Sequence, residues 1–303
     1  MVGFYGKIAI IGGAAVFAAS WVQAAPPPAP TLADILSHSP PSNWRTLDPS
    51  RTLYMELPRG RVIIELAPAF APNHAANIER LAHDGYFDGL AVVRAQDNYV
   101  VQWADPDEKR SVGGAQKTLK AEFTRPYDAA TPFTALPDKD TYAPQAGFTD
   151  GFPAARDPAT RRTWLVHCYG MVGAGRDNDA DSGGGTELYA VIGQAPRQLD
   201  RNVTLVGRVV SGIDLLAELP RGHGDLGFYE TPAERIPITS IKLASDLPPE
   251  QRLRIDALRT DSATFAAVIH NRRFRQDAWY KVPAGHIDVC DTPLPVRIGK
   301  PGP

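Results

Sequence analysis

Two cysteines, Cys168 and Cys290, are all that the 303 residues contain. The paired Cys/His spacing of a structural zinc site is therefore absent. An excess of charge of either sign is also absent. The formal net charge is −2, with acids and bases interspersed, so there is no basic block to suit nucleic acid and no acidic tail. Gly183-Gly184-Gly185 has no Lys-Ser/Thr after it, which excludes a phosphate loop, and no Gly-x-Ser-x-Gly elbow marks a hydrolase. The run Asp177-Asn178-Asp179-Ala180-Asp181-Ser182-Gly183 has the alternating acids of a calcium loop. Its glycine falls one place late, however, and Leu188 stands where a bidentate glutamate belongs, so it reads as a polar turn. His167 and Cys168 are adjacent in a strand-like run and point to opposite faces, which excludes a Cys-His nucleophile pair. No cofactor and no metal are expected.

Proline (28) and glycine (26) are plentiful, and proline is too frequent for long uninterrupted helices, so the chain reads as β-rich with long loops. Residues 1–24 have the form of a signal peptide: Lys7, the apolar run Ile8 to Ala19, then the small-residue site Val22-Gln23-Ala24. The run is short for a bilayer, so the mature form is expected to lack a membrane span and to be periplasmic or secreted. Residues 25–49 read as a Pro-rich tether and lead-in. An oxidising compartment permits a Cys168–Cys290 bridge, but two small buried hydrophobes would fit equally well.

Leu53–Leu57 and Val62–Leu66 flank Pro58-Arg59-Gly60 as a hairpin. Pro72 opens a helix with Ile78, Leu81 and Ala82 on one face and Gly85 at its end. Short strands follow at 91–94 and 99–102, then a weakly periodic stretch, 106–160, which reads as an elaborated loop with short elements. Strand character returns at 163–172, 188–192, 203–210 and 236–243, with a short helix at 212–219. Some eight strands with two helices and no βαβ alternation favour a closed antiparallel barrel. Beyond residue 246, Ile255, Leu258, Phe265, Val268 and Ile269 approach a 3.6-residue period, which predicts a helical extension with an extended tail over 247–303.

The order of the motifs narrows the choice of barrel. Ala71-Pro72-Asn73-His74 with Asn77, Gly85-Tyr86-Phe87-Asp88-Gly89-Leu90, Val93-Arg94, and Gln102 with Asp105 come in sequence. Met171-Val172-Gly173-Ala174-Gly175, Glu187-Leu188-Tyr189, Leu199-Asp200 and Gly207-Arg208-Val209 complete the series. Over residues 50–246 this series resembles the cyclophilin-type peptidyl-prolyl cis/trans isomerases. The resemblance implies a mainly β protein, a closed eight-stranded antiparallel barrel capped by two helices. It also implies an enzyme that acts, as a monomer, on proline-containing polypeptides and assists the folding of exported proteins.

By the same resemblance Arg94 is the catalytic arginine and Gln102 its partner, with the amide of Gln102 holding a substrate carbonyl. Tyr99, Val100, Gly173, Glu187, Tyr189 and Leu199 occupy substrate-binding positions. Because Arg94 and Gln102 are an even number of residues apart across a turn, parity leaves open whether they share a face. Several rim positions differ from the family's pattern. Val93 replaces a His, Trp103-Ala104 two glycines, Tyr99 and Val100 a Phe and a Met, Gly173 an Asn, and Glu187 a Gln. A second reading fits the same residues, a peptide-binding chaperone or scaffold of this fold with weak or no isomerase activity.

Overall fold

The computed structural model describes residues 30–301 together with Met1 and Gly3. The expected signal peptide and most of the Pro-rich tether lie outside the described residues. Local chemistry seats each element. Helix α1 (Leu32–Ser37) opens on a capping box, in which Thr31 and Asp34 each accept from the other's backbone N–H. Strand β1 (Trp44–Thr46) leads to the hairpin β2 (Thr52–Leu57) and β3 (Gly60–Leu66). Helix α2 (Pro72–His83) begins on Pro72, whose missing N–H would be unpaired there anyway, and it buries Ile78, Leu81 and Ala82. Gly85, at φ +71°, takes the left-handed step that ends it. Strands β4 (Ala91–Ala95) and β5 (Val100–Ala104) come next.

The stretch read as an elaborated loop with short elements carries a second sheet. It contains β6 (Arg125–Pro126), β7 (Thr134–Ala135), β8 (Gln145–Thr149) and β9 (Phe152–Asp157), joined by β10 (Arg162–Leu165) in the order β6-β10-β9-β8-β7. Periodicity missed it because four successive residues of β9, Phe152 to Ala155, are all buried, which removes the alternation of a half-exposed strand. The run predicted at 163–172 accordingly divides. β10 belongs to the inserted sheet, whereas β11 (Met171–Ala174) returns to the barrel after Gly170, at φ +82°.

The barrel continues through β12 (Leu188–Val191), β13 (Leu205–Ser211), the short helix α3 (Ile213–Ala217), β14 (Ile236–Pro237) and β15 (Ser240–Leu243). Its order is β14-β4-β5-β12-β11-β13-β3-β2-β15, and every pairing is antiparallel. β14 and β15 are two halves of one segment, bent at Ile238-Thr239. One half pairs with β4 and the other with β2, so a single stretch of chain joins both edges of the curled sheet. This is the expected eight-stranded antiparallel barrel, with its last strand broken in two.

One face of the barrel sheet, including Leu53, Met55, Ile64, Val101 and Trp103, packs with Ile78 and Leu81 of α2 and with Leu216 of α3. Residues of the other face, including Val100, Met171, Tyr189 and Val191, pack with Phe148, Phe152 and Trp164 of the inserted sheet and with Phe265, Val268 and Ile269 of the extension. Insert and extension therefore give the barrel's outer face an apolar cover, at about 25 cal/mol for each Å² of apolar surface removed from water.

The extension is a strand–helix–strand unit. Ile255 and Leu258, read at helical spacing, lie on β16 (Leu253–Leu258). That strand sits between β1 and β17 (Val296–Pro301), so residues expected in the lead-in and in the extended tail pair with it. A spacing of three suits a helix, but six residues with long-range partners on both sides form a strand. The helix begins only at α4 (Ala263–Phe274), where the Ser262 hydroxyl accepts from the Phe265 N–H. Arg272 and Arg273 lie in its last turn, as expected from the helix dipole.

Cys168 and Cys290 are bridged, with Cα atoms 4.9 Å apart, so the extension is covalently tied to the segment that leads into β11 of the barrel, across 122 residues of sequence. Replacing both cysteines by alanine is expected to lower the unfolding free energy by about 2–4 kcal/mol, measured by urea denaturation with and without reductant. Reductant should then change the wild type and leave the variant unaffected.

Candidate active site

Four neighbouring strands place four residues in one row. Arg94 on β4 pairs with Gln102 on β5, Gln102 with Tyr189 on β12, and Tyr189 with Gly173 on β11. Directly opposed residues of antiparallel strands project from the same face. A bulge at Val93, between the Val92–Trp103 and Arg94–Gln102 pairs, shifts the register and answers the question that parity left open. Arg94 Nη1 donates to Gln102 Oε1 at 2.9 Å.

The Arg94 guanidinium is held from all sides. Nε donates to the Leu226 carbonyl at 2.7 Å and Nη2 donates to Gln96 Oε1. Its carbon lies 5.5 Å from the Tyr99 ring centre and 5.3 Å from that of Phe228. A guanidinium has five N–H donors and these bonds use three, which leaves one on each terminal nitrogen. Burial pulls the group below the usual arginine range, while Tyr99 and Glu187 act in the opposite direction.

Gln102 is buried, and its Nε2 donates to Glu187 Oε1. Its oxygen thus serves Arg94 and one of its two amide N–H groups serves Glu187, which leaves the other N–H for a substrate carbonyl. Partial burial pushes the Glu187 carboxyl up. The Gln102 hydrogen bond opposes that shift, and Asp177 and Glu108 add to it. Val100 and Tyr189 are buried, and Tyr99 and Val203 pack against the same apolar cluster. Gly173 is required by its neighbour: a Cβ there would lie 2.3 Å from the Tyr189 ring and hydroxyl, so the glycine is what lets that ring lie flat over β11. Leu199 is half-buried at the end of a single turn, Ala195–Leu199, outside that cluster. Its link to the row is through the adjacent Asp200.

That link leads to a group of residues the sequence did not reveal as a unit. The Tyr189 hydroxyl donates to His167 Nε2 at 2.9 Å. His167 Nδ1 and the His167 backbone N–H both reach Asp200 Oδ1, at 3.0 and 2.9 Å; the carboxylate can only accept, so Nδ1 carries the proton. Arg197 joins Asp200 at 3.2 Å to Asp140 of the inserted stretch at 2.8 Å. All five side chains are buried, and burial pushes the Tyr189 phenol far up, so it stays neutral. His167 was judged only against its neighbour Cys168, whereas its partners are 22 and 33 residues further on. Gln96 and Phe228 were also missed. Gln96 had a legible signal, two places beyond Arg94; Phe228 lies over 130 residues further on and reaches Arg94 through an isolated bridge to β4 and its ring.

Residues 52–243 match the family model for cyclophilin-type peptidyl-prolyl cis-trans isomerases. The chain belongs to that family. It is 26% identical over 193 residues to a protein named "Probable peptidyl-prolyl cis-trans isomerase" from Brucella suis, covering 63% of this chain and 83% of that one. It is 27% identical over 173 residues to peptidyl-prolyl cis-trans isomerase B of Bacillus subtilis, covering 57% of this chain and 92% of that one. In structure it is similar to the cyclophilin AquaCyp293 from Hirschia baltica, with a TM-score of 0.69 and 27% identity, covering 90% of this chain and 99% of that one. This cyclophilin is accordingly an isomerase whose barrel carries an inserted sheet and a disulfide-tied extension.

Tyr189→Phe keeps the ring and deletes the donor to His167 Nε2. It is expected to cost about 1–3 kcal/mol of stability, read as a lower urea midpoint at unchanged slope, because His167 is left with a buried unpaired nitrogen.

Proposed function

We propose that the mature chain works outside the cytoplasm, as a monomer, binding proline-containing segments of exported polypeptides and speeding their cis/trans isomerisation. Rotation about an X-Pro bond is slow because amide resonance sets a barrier of about 18–20 kcal/mol. At the twisted transition state the nitrogen regains lone-pair character. A fixed N–H donor aimed at it stabilises that state more than either planar one, which is differential binding. Arg94 is suited to this role: three N–H bonds and two rings fix it, and two N–H groups are left over. That is the observation on which the reading rests. Tyr99, half-buried against the cluster that holds Val100 and Tyr189, offers an apolar surface beside Arg94 for the pyrrolidine ring. The leader-like residues 1–24 and the Cys168–Cys290 bridge support a periplasmic or secreted location.

A peptide-binding chaperone or scaffold is the second reading. It is favoured by Gln102, whose oxygen and one of whose two amide N–H groups are already engaged. Exchange NMR on a bound X-Pro peptide separates the two. Isomerisation predicts faster cis/trans exchange, with Arg94→Ala lowering kcat/KM about 10²-fold or more. Tight binding with no added exchange would establish the chaperone reading.

A further inference from the structure

The row across β4, β5 and β12 has a direction. Arg94 offers only donors, so the end of Gln102 that faces it must be the carbonyl. The amide end is thereby turned toward residue 187, where the chain has a carboxyl group. The series is thus guanidinium N–H to carbonyl, then amide N–H to carboxylate. An ionised carboxylate makes this last bond charge-assisted, roughly twice as strong as a neutral one, and it polarises the amide so that the Gln102 oxygen accepts more strongly from Arg94. A glutamine at 187 could accept the same bond but would bring no charge to it. We infer that Glu187 is a positioning residue, whose ionised carboxylate locks the Gln102 amide and, through it, the Arg94 guanidinium into the working orientation. The pair is then held firmly while Glu187 is ionised and loosens as it takes up a proton.

The surroundings fit such a device. Arg94 faces Glu187 from β4, Gln102 from β5, and Tyr86 from the turn after α2; Asp177 follows β11, and Glu108 comes from the start of the insert. Gly175 makes room for the carboxyl, since a Cβ there would lie 2.1 Å from Glu187 Oε1. Burial and the two acids move its titration above the ordinary carboxylate range. For a raised carboxyl the ionised form is present above the shifted value and lost as pH falls through it.

The inference concerns the site proposed above, so its test includes a readout that needs no turnover. The side-chain amide signal of Gln102, assigned by its loss in Gln102→Leu, is followed by ¹⁵N NMR against pH. It should shift with a midpoint above the usual glutamate value. Glu187→Gln should abolish that transition, and Asp177→Asn should move it to lower pH. In the isomerase assay, wild-type kcat/KM should be about tenfold lower one pH unit below the midpoint than one unit above it, whereas Glu187→Gln should be flat over that range. A Gln102 signal that does not titrate, or a transition that persists in Glu187→Gln, overturns the inference. An amide that titrates as expected in a protein without isomerase activity upholds the inference and counts against the proposed enzymatic role alone.

Discussion

Everything at the site depends on strand β5 being seated between β4 and β12 in one register. The backbone ladder sets Gln102 opposite Arg94 on one side and Tyr189 on the other. A one-residue slip on either side would turn every outward residue of β5 inward, putting Val101 and Trp103 where Gln102 now lies. The bulge at Val93 keeps that register compatible with the turn at Asp97-Asn98. Arg94 thus owes its position to the fold's hydrogen bonds and its orientation to side-chain partners.

Charge is treated differently on the two sides of the row. On the Arg94 side, aromatic faces and a backbone carbonyl hold a cation that burial disfavours. On the Tyr189 side, the ion pairs Arg197–Asp200 and Arg197–Asp140 run inward to the inserted stretch and keep the ring still from below. Buried pairs of this kind add little net stability, because desolvation offsets their attraction, but they fix geometry when every partner is satisfied. The insert is in this sense part of the floor of the site.

What the sequence made legible were features carried by neighbouring residues or by motif order. The β2–β3 hairpin, the α2 face of Ile78, Leu81 and Ala82, and the Arg94 and Gln102 positions all came from short-range pattern. The inserted sheet did not, since its strands are two to six residues long and β9 is buried on both faces. Strand β16 was hidden because Ile255 and Leu258 satisfy a helical spacing as well as a strand. Its partner β1 lies over 200 residues earlier, as the Thr46–Asp256 contact at a separation of 210 shows. The His167 relay was illegible for the same reason: nothing local distinguishes a core histidine from one that anchors a tyrosine.

The Cys168–Cys290 bridge has a bearing on how the chain comes to be made. A polypeptide built from its N-terminus presents Cys168 long before Cys290, with 122 residues still to come. Throughout that interval the thiol sits one residue from His167, the anchor of Tyr189, with no native partner. Any earlier capture by a foreign thiol would fall on the segment that sets the floor of the site. The later-made extension is therefore the part that seals the site, and the bridge marks its docking: only a molecule whose extension has docked has both of its cysteines accounted for.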